Sequence, residues 1–584
     1  MLFASSASDG PRSVPDPAEP APPANVLGAD AAPPIVWTIA GTDSGGGAGI
    51  AADQRATDAS GVHLCTVVAA VTAQNSLGVP HVEAMTPQVI EAQIRALEAD
   101  MPPRAIKTGL LGGPAQIEAV ALAIDRLRAA AAQRGESIPL IVDPVLGATS
   151  GASFADDTTV AAYRRWMLPR ATLLTPNRME ALRLTGLDAA SATAPQLAHA
   201  LREAGCAAVC ITGGDTATDD DLARDWLDTP HAAGWLALPR IATRHNHATG
   251  CTFAAAAAAA MARGFVAADA CVLAKMAATH ALRHGHAAGL GAGPVKAKTG
   301  FIDDPSLMPQ LSWGEAPRFA PFVSRAAIAA PRPGESRTPR LYAIAGSAER
   351  IETLRAAGVR MLQLRIKTPA LPDDAWRATL QGQIQRAVAA CRAASPGDYD
   401  GRHPGAADAA GPVQLFINDH HALALQAGAP GIHLGQEDLL AMSEAERERL
   451  RAADTPALGI SSHSLWELAR ARSMAPAYIA CGPIWPTLTK AMPWQPQGLD
   501  NLRWWVRMAG APVVAIGGIL APGQAAEAAG CGAAAVCVVR GLDTGGSLED
   551  AVRDFGRAAV AGATRSAHPA ATSADGWPRA SLQN

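Results

Sequence analysis

Eight short apolar segments recur through residues 339–560 of this chain, and no other feature of the sequence restricts its fold as strongly. Each has four to six residues, and a pattern typical of a helix separates it from the next. Eight strands that alternate with helices over about 200 residues are typical of a (β/α)8 TIM barrel. The predicted strands are Leu341–Ala345, Met361–Ile366, Gln414–Asn418, Gly431–Leu434, Ala457–Ser461, Tyr478–Cys481, Val513–Ile516 and Ala534–Val539.

Two carboxylates follow the third and fourth of these strands. Asp419 comes directly after Asn418, and Asp438 follows the strand that ends at Leu434. In an α/β barrel such strand ends share one face, where ligands bind. Two carboxylates that converge there can hold Mg²⁺, which takes oxygen ligands and shares them with substrate phosphates. Solvated loop acids are the alternative interpretation of this pair taken alone.

Other polar residues of the predicted barrel also lie at strand ends. Gln363, Arg365 and Lys367 alternate on the second strand, so the three side chains point to one side of it. Arg and Lys together suit a polyphosphate. The segments after the sixth, seventh and eighth strands fall where barrels commonly build phosphate sites, and they contain Thr487, Thr489, Lys490, Gly517, Gly518 and Arg540. The pattern predicts phosphate binding at the mouth of the barrel.

The first half of the chain shows a different alternation of strands and helices. A strand at Ile35–Ala40 leads into the glycine-rich turn 41–49, which opens a helix through Asp53. Such a turn lets the backbone approach a ligand, although a tight structural turn explains it equally well. Further strands at Cys65–Val71, Ala105–Lys107, Leu140–Val142, Thr172–Leu174 and Ala208–Ile211 predict a mainly parallel sheet covered by helices on both faces.

Polar groups also follow the strands of this half, where an open α/β sheet binds ligands. The sharpest group is His247-Ala248-Thr249-Gly250-Cys251-Thr252, which precedes an Ala-rich helix. Small residues at a helix N-terminus present backbone N–H groups to an anion, and the same position lowers the pKa of a thiol such as Cys251. A small buried cysteine at a helix start is the alternative.

Length, charge and cysteine content limit the classes of function. A chain of 584 residues is too long for one core and predicts two or more domains. Its net charge of −4 gives no reason to expect a nucleic-acid or membrane partner. Nine cysteines without a C-x-x-C pair predict reduced thiols and a cytoplasmic location.

Residues 34–300 resemble the hydroxymethylpyrimidine/phosphomethylpyrimidine kinases of the ribokinase-like superfamily. The resemblance implies a ribokinase-like layered α/β domain that uses ATP and Mg²⁺, with Asp53 and Gln74 on the aminopyrimidine. Thr249, Gly250 and Cys251 would form the anion hole, Cys251 serving as base, and Asp143, Asn177, Glu180, Thr212 and Gly214 would surround Mg²⁺ and the ATP phosphates. The motifs that carry it are AGTDSGGGAGIAAD, TAQNS, KTGLL, DPV, LLTPNRMEA, TGGD and HATGCTF.

This half departs from the kinase pattern at three positions. Ala248 stands where the family usually has Gly, which could stiffen the anion hole. Thr212 and Thr149 stand where many members have Lys, which removes positive charge near ATP.

Residues 339–560 resemble thiamine phosphate synthase through QLRIK, FIND, GIHLGQEDL, LGISSH, PTLTK and AIGGI. The resemblance implies Mg²⁺ on Asp419 and Asp438, and the diphosphate of hydroxymethylpyrimidine diphosphate on Arg365, Lys367, Asn418 and Lys490, with Gln363 also in the substrate site. Ser461 would lie over the pyrimidine, beside the leaving diphosphate, and Lys490 would assist catalysis. Thiazole phosphate would contact Thr487, Thr489, Gly517, Gly518, Val539 and Arg540, although members commonly carry Ser where this chain has Arg540.

The domain boundaries follow from composition. Residues 1–33 predict a disordered leader, 34–310 the kinase domain, 311–338 a Pro- and Arg-rich linker, 339–563 the synthase domain and 564–584 a disordered tail. Ser395–Gly411 predicts a flexible surface insertion within the barrel. Each half is expected to have its own core.

The resulting prediction is an α/β enzyme of thiamine biosynthesis with two activities. The first half phosphorylates hydroxymethylpyrimidine and then its monophosphate, and the second joins the diphosphate to thiazole phosphate and releases pyrophosphate. The expected partners are these small molecules and ATP, and a homodimer through the kinase domain is compatible with the resemblance. Two alternatives remain open: a kinase for pyridoxal-like alcohols, and a barrel that is a thiazole isomerase or a non-catalytic regulator.

Overall fold

A computed structural model of the chain describes residues 32–147, 154–214, 220–322, 339–392, 413–452, 455–487, 493–543, 545–565 and 576–582. Several predicted features lie outside these ranges. They are nearly all of the leader, Thr149, the part of the linker from 323 to 338, the insertion at 395–411, Thr489, Lys490, and residues 566–575 of the tail.

The first half contains one sheet of ten strands. The strands are β1 (Ile35–Gly41), β2 (His63–Ala73), β3 (His81–Ala84), β4 (Ala105–Thr108), β5 (Leu140–Val142), β6 (Leu173–Leu174), β7 (Val209–Ile211), β8 (Leu222–Asp228), β9 (Ala233–Pro239) and β10 (Gln310–Leu311). Their order is β10-β9-β8-β7-β6-β5-β4-β1-β2-β3. The block from β7 to β2 is parallel, whereas β3, β8, β9 and β10 pair antiparallel at the two edges. The mainly parallel sheet is confirmed, and the four edge strands are additional to the predicted ones.

Helices cover both faces of this sheet. Neighbouring residues of a strand point to opposite faces, so Val36 and Trp37 of β1 belong to different apolar clusters. The second cluster includes residues of α2, α3, α5 and α6, and the first includes residues of α7 and α8. The helices are α1 (Gly49–Ala59), α2 (Pro87–Glu98), α3 (Pro114–Ala132), α4 (Asp157–Ala162), α5 (Arg178–Thr185), α6 (Ala194–Glu203), α7 (Thr249–Ala262) and α8 (Ala267–Arg283), with helical turns at Tyr163–Met167, Leu168–Arg170, Phe301–Asp303 and Pro305–Leu307.

The second half is a closed parallel barrel of eight strands in sequence order. The strands are β11 (Arg340–Ala345), β12 (Met361–Leu364), β13 (Gln414–Asn418), β14 (Gly431–Leu434), β15 (Ala457–Ser462), β16 (Tyr478–Cys481), β17 (Val513–Ile516) and β18 (Ala535–Val538). The helices are α9 (Ala348–Ala356), α10 (Asp374–Arg392), α11 (His421–Gln426), α12 (Gln436–Ala441), α13 (Glu444–Arg451), α14 (Leu465–Arg472), α15 (Gly498–Met508), α16 (Pro522–Gly530) and α17 (Leu548–Arg565), with a helical turn at Arg540–Leu542. The predicted barrel is confirmed.

One strand of the barrel ends earlier than predicted. Because β12 stops at Leu364, Arg365 and Lys367 lie in the segment after the strand and are exposed, while Gln363 alone is buried inside it. The expectation that all three alternate on the strand is therefore wrong. Two cationic side chains have no place in an interior filled by Tyr342, Phe416 and Tyr478.

The apolar cores of the two halves are continuous, contrary to the expectation of separate cores. One cluster of buried residues extends from α7 and α8 into the barrel helices. Residues at the start of the predicted linker also pack: Trp313 and Ala320 are buried, and Gln310 in β10 exchanges side-chain hydrogen bonds with the backbone of Ala320. The backbone up to residue 322 therefore forms part of the first half.

Part of the predicted disordered tail is also packed. Trp577 is buried, with its ring against Phe265 and Phe301 and the Arg263 guanidinium over its face. Arg579 donates to Asp500 on the barrel helix α15. Residues 576–582 thus contact both halves, through the buried indole ring of Trp577 and the ion pair of Arg579. Within the described residues, no helix is long and apolar enough to cross a membrane.

Candidate active sites

A cavity of about 680 Å³ opens at the carboxyl ends of the parallel strands in the first half. Thr249, Gly250 and Cys251 reach it from the start of α7, and Lys275 reaches it from α8. Among the predicted site residues, it is lined by Gln74, Asp143, Asn177, Glu180, Thr212, Gly214, Thr249, Gly250 and Cys251. The fold therefore brings together nine predicted side chains and backbone positions that are far apart in sequence.

Asp53 is the exception, and its predicted contact with the pyrimidine is not supported. Its side chain is fully buried under the cavity and does not line it. Both carboxylate oxygens lie 3.0 Å from Lys107 Nζ, and Thr38 Oγ1 donates to Oδ2 at 2.7 Å. The Asp53 side chain points toward the sheet because it lies on the side of α1 that packs against the sheet. It holds Lys107, which does line the cavity.

Lys107 and Asp143 form the charged floor of the cavity. Lys107 Nζ lies 3.6 Å from Asp143 Oδ2, an oxygen that is buried and makes no hydrogen bond within the described residues. Burial lowers the pKa of Lys107, but Asp53, Cys251 and Asp143 raise it overall, so the amine stays protonated. Burial raises the pKa of Asp143, with Lys107 opposing. A buried carboxylate oxygen without a hydrogen bond beside an open cavity fits a divalent cation or its water.

Asp43 organises the glycine-rich turn, a role that the sequence did not indicate. Its carboxylate accepts hydrogen bonds from the backbone N–H groups of Gly45, Gly47 and Ala48 at 2.7–3.0 Å. Burial acts to raise the pKa of Asp43, but His247 and these N–H groups lower it overall. His247 Nε2 also lies 3.4 Å from Gln74 Nε2, so the turn, Gln74 and the His247 segment are mutually fixed.

Helix α7 begins at the cavity with an unusual backbone. Ala248, its N-cap, has φ 69° and ψ 22°, the left-handed region that disfavours residues with a Cβ. A Cβ added at Gly250 would meet no atom within 4 Å, so this glycine faces open space. The geometry is that of an anion site at a helix N-terminus, and it explains why a glycine is common where this chain has Ala248.

The expectation of a lowered pKa for Cys251 is wrong. The thiol is only half-buried toward the cavity, yet burial raises its pKa to about 12, and Asp143 and Asp53 oppose the favourable charge of Lys107. Burial is the largest cause of this shift and the carboxylates of Asp143 and Asp53 add to it, so Cys251 is a neutral thiol.

The opposite wall is built by a capping box and a second ion pair. Asn177 accepts from the Glu180 N–H at 2.9 Å, and Glu180 accepts from the Asn177 N–H at 2.9 Å. Lys275 Nζ lies 2.8 Å from Asp225 Oδ2, and both residues are buried at the cavity. Lys275 is a cationic side chain in the same cavity as Thr212. The sequence did not indicate Lys275 as a site residue.

In the barrel, Asp419 directly follows β13, and Asp438 lies in the first turn of α12, after β14. Partial burial and Asp438 raise the pKa of Asp419, while Arg365 lowers it. Asp438 also accepts from the Gly435 N–H at 2.8 Å. No group of three or more His, Cys, Asp or Glu suited to a metal occurs among the described residues. Two carboxylates fit Mg²⁺ that completes its coordination with phosphate oxygens and water.

A chain of buried hydrogen bonds crosses the barrel interior. Gln363 Nε2 donates to Asn418 at 2.5 Å, and Tyr342 donates to Gln363 Oε1 at 2.8 Å. The Tyr342 hydroxyl therefore accepts from Tyr478 at 2.7 Å. Tyr478 in turn accepts from His433 Nδ1 at 2.7 Å, which leaves Nε2 to accept from Ser461 at 2.8 Å.

This series of hydrogen bonds fixes which nitrogen of His433 is protonated and the direction in which the Ser461 hydroxyl donates. Burial and then Arg365 lower the pKa of His433 to about 3, so the imidazole is neutral. Because the Ser461 hydroxyl donates inward, the lone pairs of its oxygen point away from His433. The sequence predicted Ser461 and Gln363 as site residues. It did not indicate His433, Tyr342 or Tyr478, whose residue types are common in a protein core.

Five other candidate residues of the barrel follow strands within the described part of the chain. Gly517 (φ 92°) and Gly518 (φ 75°) follow β17, and an added Cβ would lie within 2.8 Å of the backbone of Pro483 or Trp485. Val539 and Arg540 are exposed after β18, and Thr487 lies in the segment after β16. No other residue fits the close backbone approach at the two glycines.

These features define the chain as an α/β protein with a candidate active site in each half, one in a layered α/β domain and one at the mouth of a TIM barrel. The sequence model of phosphomethylpyrimidine kinase matches residues 43–296, and that of thiamine monophosphate synthase matches residues 341–542.

Similar proteins fall into the same two groups. A hydroxymethylpyrimidine/phosphomethylpyrimidine kinase from Synechococcus elongatus is 43% identical over 263 residues, which are 45% of this chain and 96% of that protein. A chloroplastic thiamine biosynthetic bifunctional enzyme from Arabidopsis thaliana is 30% identical over 496 residues, 83% of this chain and 85% of that protein. Among solved structures, an ADP complex of Bacillus subtilis pyridoxal kinase is 29% identical and covers 46% of this chain and 98% of its own, with a TM-score of 0.42.

The chain belongs to the family of thiamine biosynthetic bifunctional enzymes, in which a phosphomethylpyrimidine kinase is joined to a thiamine monophosphate synthase. The predicted fold class and the predicted pair of enzyme activities are confirmed.

Proposed function

We propose that this chain performs three successive reactions with the side chains described above. ATP phosphorylates the hydroxymethyl group of the pyrimidine, a second ATP converts the monophosphate to the diphosphate, and the barrel couples the diphosphate to thiazole phosphate. The observation that carries this proposal is that polar and charged side chains gather at the carboxyl ends of parallel strands in both halves of one chain. The product of the first site is the substrate of the second.

In the kinase site, this chain mainly positions charge. Lys107 is protonated on the cavity floor, and the start of α7 directs backbone N–H groups toward the transferred phosphoryl group. Asp143, with Asn177 and Glu180 close to the same cavity, would hold Mg²⁺. When bound, Mg²⁺ would neutralise charge on the ATP phosphates. The alcohol oxygen forms the new O–P bond as the bond between the γ-phosphorus and the ADP oxygen breaks, and its proton leaves to water or to a phosphate oxygen. Cys251 is a neutral thiol and would act as the base only after it has lost its own proton.

In the barrel, the bond between the pyrimidine methylene carbon and the diphosphate oxygen breaks, and its electron pair leaves with the diphosphate. The thiazole nitrogen then donates its lone pair to form the C–N bond. Arg365 and Lys367, with Asp419 and Asp438 as Mg²⁺ ligands, would bind the leaving diphosphate. Ser461 presents an acceptor oxygen, which suits the N–H of an aminopyrimidine. Thiazole phosphate would contact Gly517 and Gly518 after β17.

One assay tests the whole proposal. Purified protein receives ATP, Mg²⁺, hydroxymethylpyrimidine and thiazole phosphate, and thiamine phosphate is measured, with pyridoxal as a competing alcohol. Accumulation of pyrimidine diphosphate without thiamine phosphate would overturn the barrel assignment, and faster turnover of pyridoxal would overturn the kinase substrate. Asp419→Asn should abolish coupling while kinase turnover stays unchanged, because it removes one charged metal ligand.

Two further assignments stay predictions. A homodimer through the kinase domain follows from the resemblance alone, and the cytoplasmic location follows from cysteine usage. Sedimentation and fractionation would measure them.

A further inference from the structure

Helix α8 connects the kinase cavity with the barrel. Lys275 and Thr279 on this helix line the cavity. Asp269, in the first turn of the same helix, lies at the contact with the barrel and is 1% exposed. One rigid element therefore contacts both halves of the chain.

Asp269 completes the N-terminus of the barrel helix α14. Its Oδ1 accepts from the Trp466 N–H at 3.0 Å, and the Leu465 N–H lies close enough to lower the pKa of the carboxyl group. Ser464, the N-cap, accepts only from the Glu467 N–H, at 3.3 Å. Burial raises the pKa of Asp269 to about 7, and the two N–H groups oppose that shift. The barrel helix thus begins with a cap that another domain supplies.

The start of α14 is bound to the predicted barrel site. Glu467 Oε2 accepts from His463 at both the backbone N–H (2.5 Å) and Nδ1 (3.0 Å). Gln436 Nε2 donates to the carbonyl oxygens of Ser461 (3.2 Å) and Glu467 (3.3 Å). Gln436 is the first residue of α12, the helix that contains Asp438. A shift of α14 would therefore move Ser461 and the first turn of α12 together.

We propose that Asp269 of the kinase half is a positioning residue for the barrel reaction, because it fixes the start of α14 and through it Ser461 and Asp438. The inference rests on the proposed function of the barrel. It implies that the barrel reaches full activity only while docked on the kinase half.

The test compares three variants of the full chain. Asp269→Leu removes both acceptor oxygens and keeps the branched shape of the side chain, although it is larger, and Asp269→Asn keeps one acceptor oxygen at nearly the same volume. The matched control is Asp303→Asn, because Asp303 pairs with Arg507 of α15 at 2.8 Å, across the same contact between halves, without touching α14. Coupling is assayed with supplied pyrimidine diphosphate and thiazole phosphate, and kinase turnover with hydroxymethylpyrimidine.

We expect Asp269→Leu to lower the coupling kcat about tenfold, because a displaced α14 would misplace Ser461 and Asp438 against the substrate, with kinase turnover within twofold of the parent. Asp269→Asn should lose less, and Asp303→Asn should match the parent. The rate of backbone amide hydrogen exchange in the segment 461–470 can be measured without enzyme activity. This rate should rise in Asp269→Leu but not in the control. Unchanged coupling and unchanged exchange in both Asp269 variants would overturn the proposal, as would equal losses of both activities.

If Asp269→Leu does not fold, Asp269→Asn decides by the same two readouts. A parent protein that lacks coupling activity would overturn the proposed function of the barrel. In that case, the exchange measurement still decides whether Asp269 fixes α14.

Discussion

Replacing Asp53 by Asn tests whether this residue contacts the pyrimidine or only stabilises the buried Lys107. The resemblance to the kinase family places Asp53 on the pyrimidine, whereas the structure buries it beneath the cavity as the partner of Lys107. Asn keeps the size of the side chain and can still accept from Thr38. The substitution therefore removes one negative charge and little else.

The expected cost follows from the geometry. Removing one partner of a buried ion pair costs about 3–5 kcal/mol, because it leaves the other charge buried without compensation. Lys107 keeps Asp143 at 3.6 Å, so we expect a loss near the lower end, about 3 kcal/mol. The KM for the pyrimidine alcohol should change less than about threefold, because Asp53 does not line the cavity.

Urea unfolding followed by tryptophan fluorescence measures the stability, and steady-state kinetics measure KM. Asp58→Asn is the control, an exposed carboxylate on the same helix that should stay within about 0.5 kcal/mol of the parent. In a double-mutant cycle with Lys107→Met, the two losses of unfolding free energy should be less than additive by about 2 kcal/mol. A tenfold rise in KM with unchanged stability would refute this reasoning and restore Asp53 to the pyrimidine site.

Three further predictions concern single residues. Ala248→Gly should raise the free energy of unfolding by about 0.5–1 kcal/mol, because glycine adopts the left-handed region without a Cβ penalty of about 1–2 kcal/mol; a lower urea midpoint would contradict this. With its pKa raised to about 12, Cys251 should react slowly with iodoacetamide between pH 7 and 9; an apparent pKa near 8 in the alkylation rate would show that a thiolate forms readily. His433, with its pKa lowered to about 3, should stay neutral and protonated at Nδ1 from pH 5 to 8 in ¹⁵N NMR spectra. Since its unfolded state takes up a proton near pH 6.5, stability should fall as the pH drops from there toward 3; a titration of the folded imidazole near pH 6.5 would exclude that behaviour.

Much of the fold could be predicted from the sequence because its signals are local. Four barrel strands have the predicted bounds, at Gln414–Asn418, Gly431–Leu434, Tyr478–Cys481 and Val513–Ile516. Apolar runs between turn residues identify such buried strands without knowledge of their neighbours. The antiparallel edge strands β3, β8, β9 and β10 escaped prediction because edge pairing depends on the rest of the sheet. In the candidate sites, residues next to strand ends, such as Asp143 and Asp419, were found for the same local reason.

Only the tertiary structure decided what these residues contact. Asp53 and Lys107 are 54 positions apart, Tyr342 and Tyr478 are 136 apart, and Asp269 and Trp466 are 197 apart. The raised pKa of Cys251 likewise reflects burial first and then the carboxylates of Asp143 and Asp53, which the position of a thiol at a helix start does not reveal. The sequence by itself determined the barrel strands, the parallel strands of the first sheet, the order of the two activities and which side chains lie next to strand ends. The tertiary structure decided burial and the distances between charges, because both depend on which distant segments exclude water from a group.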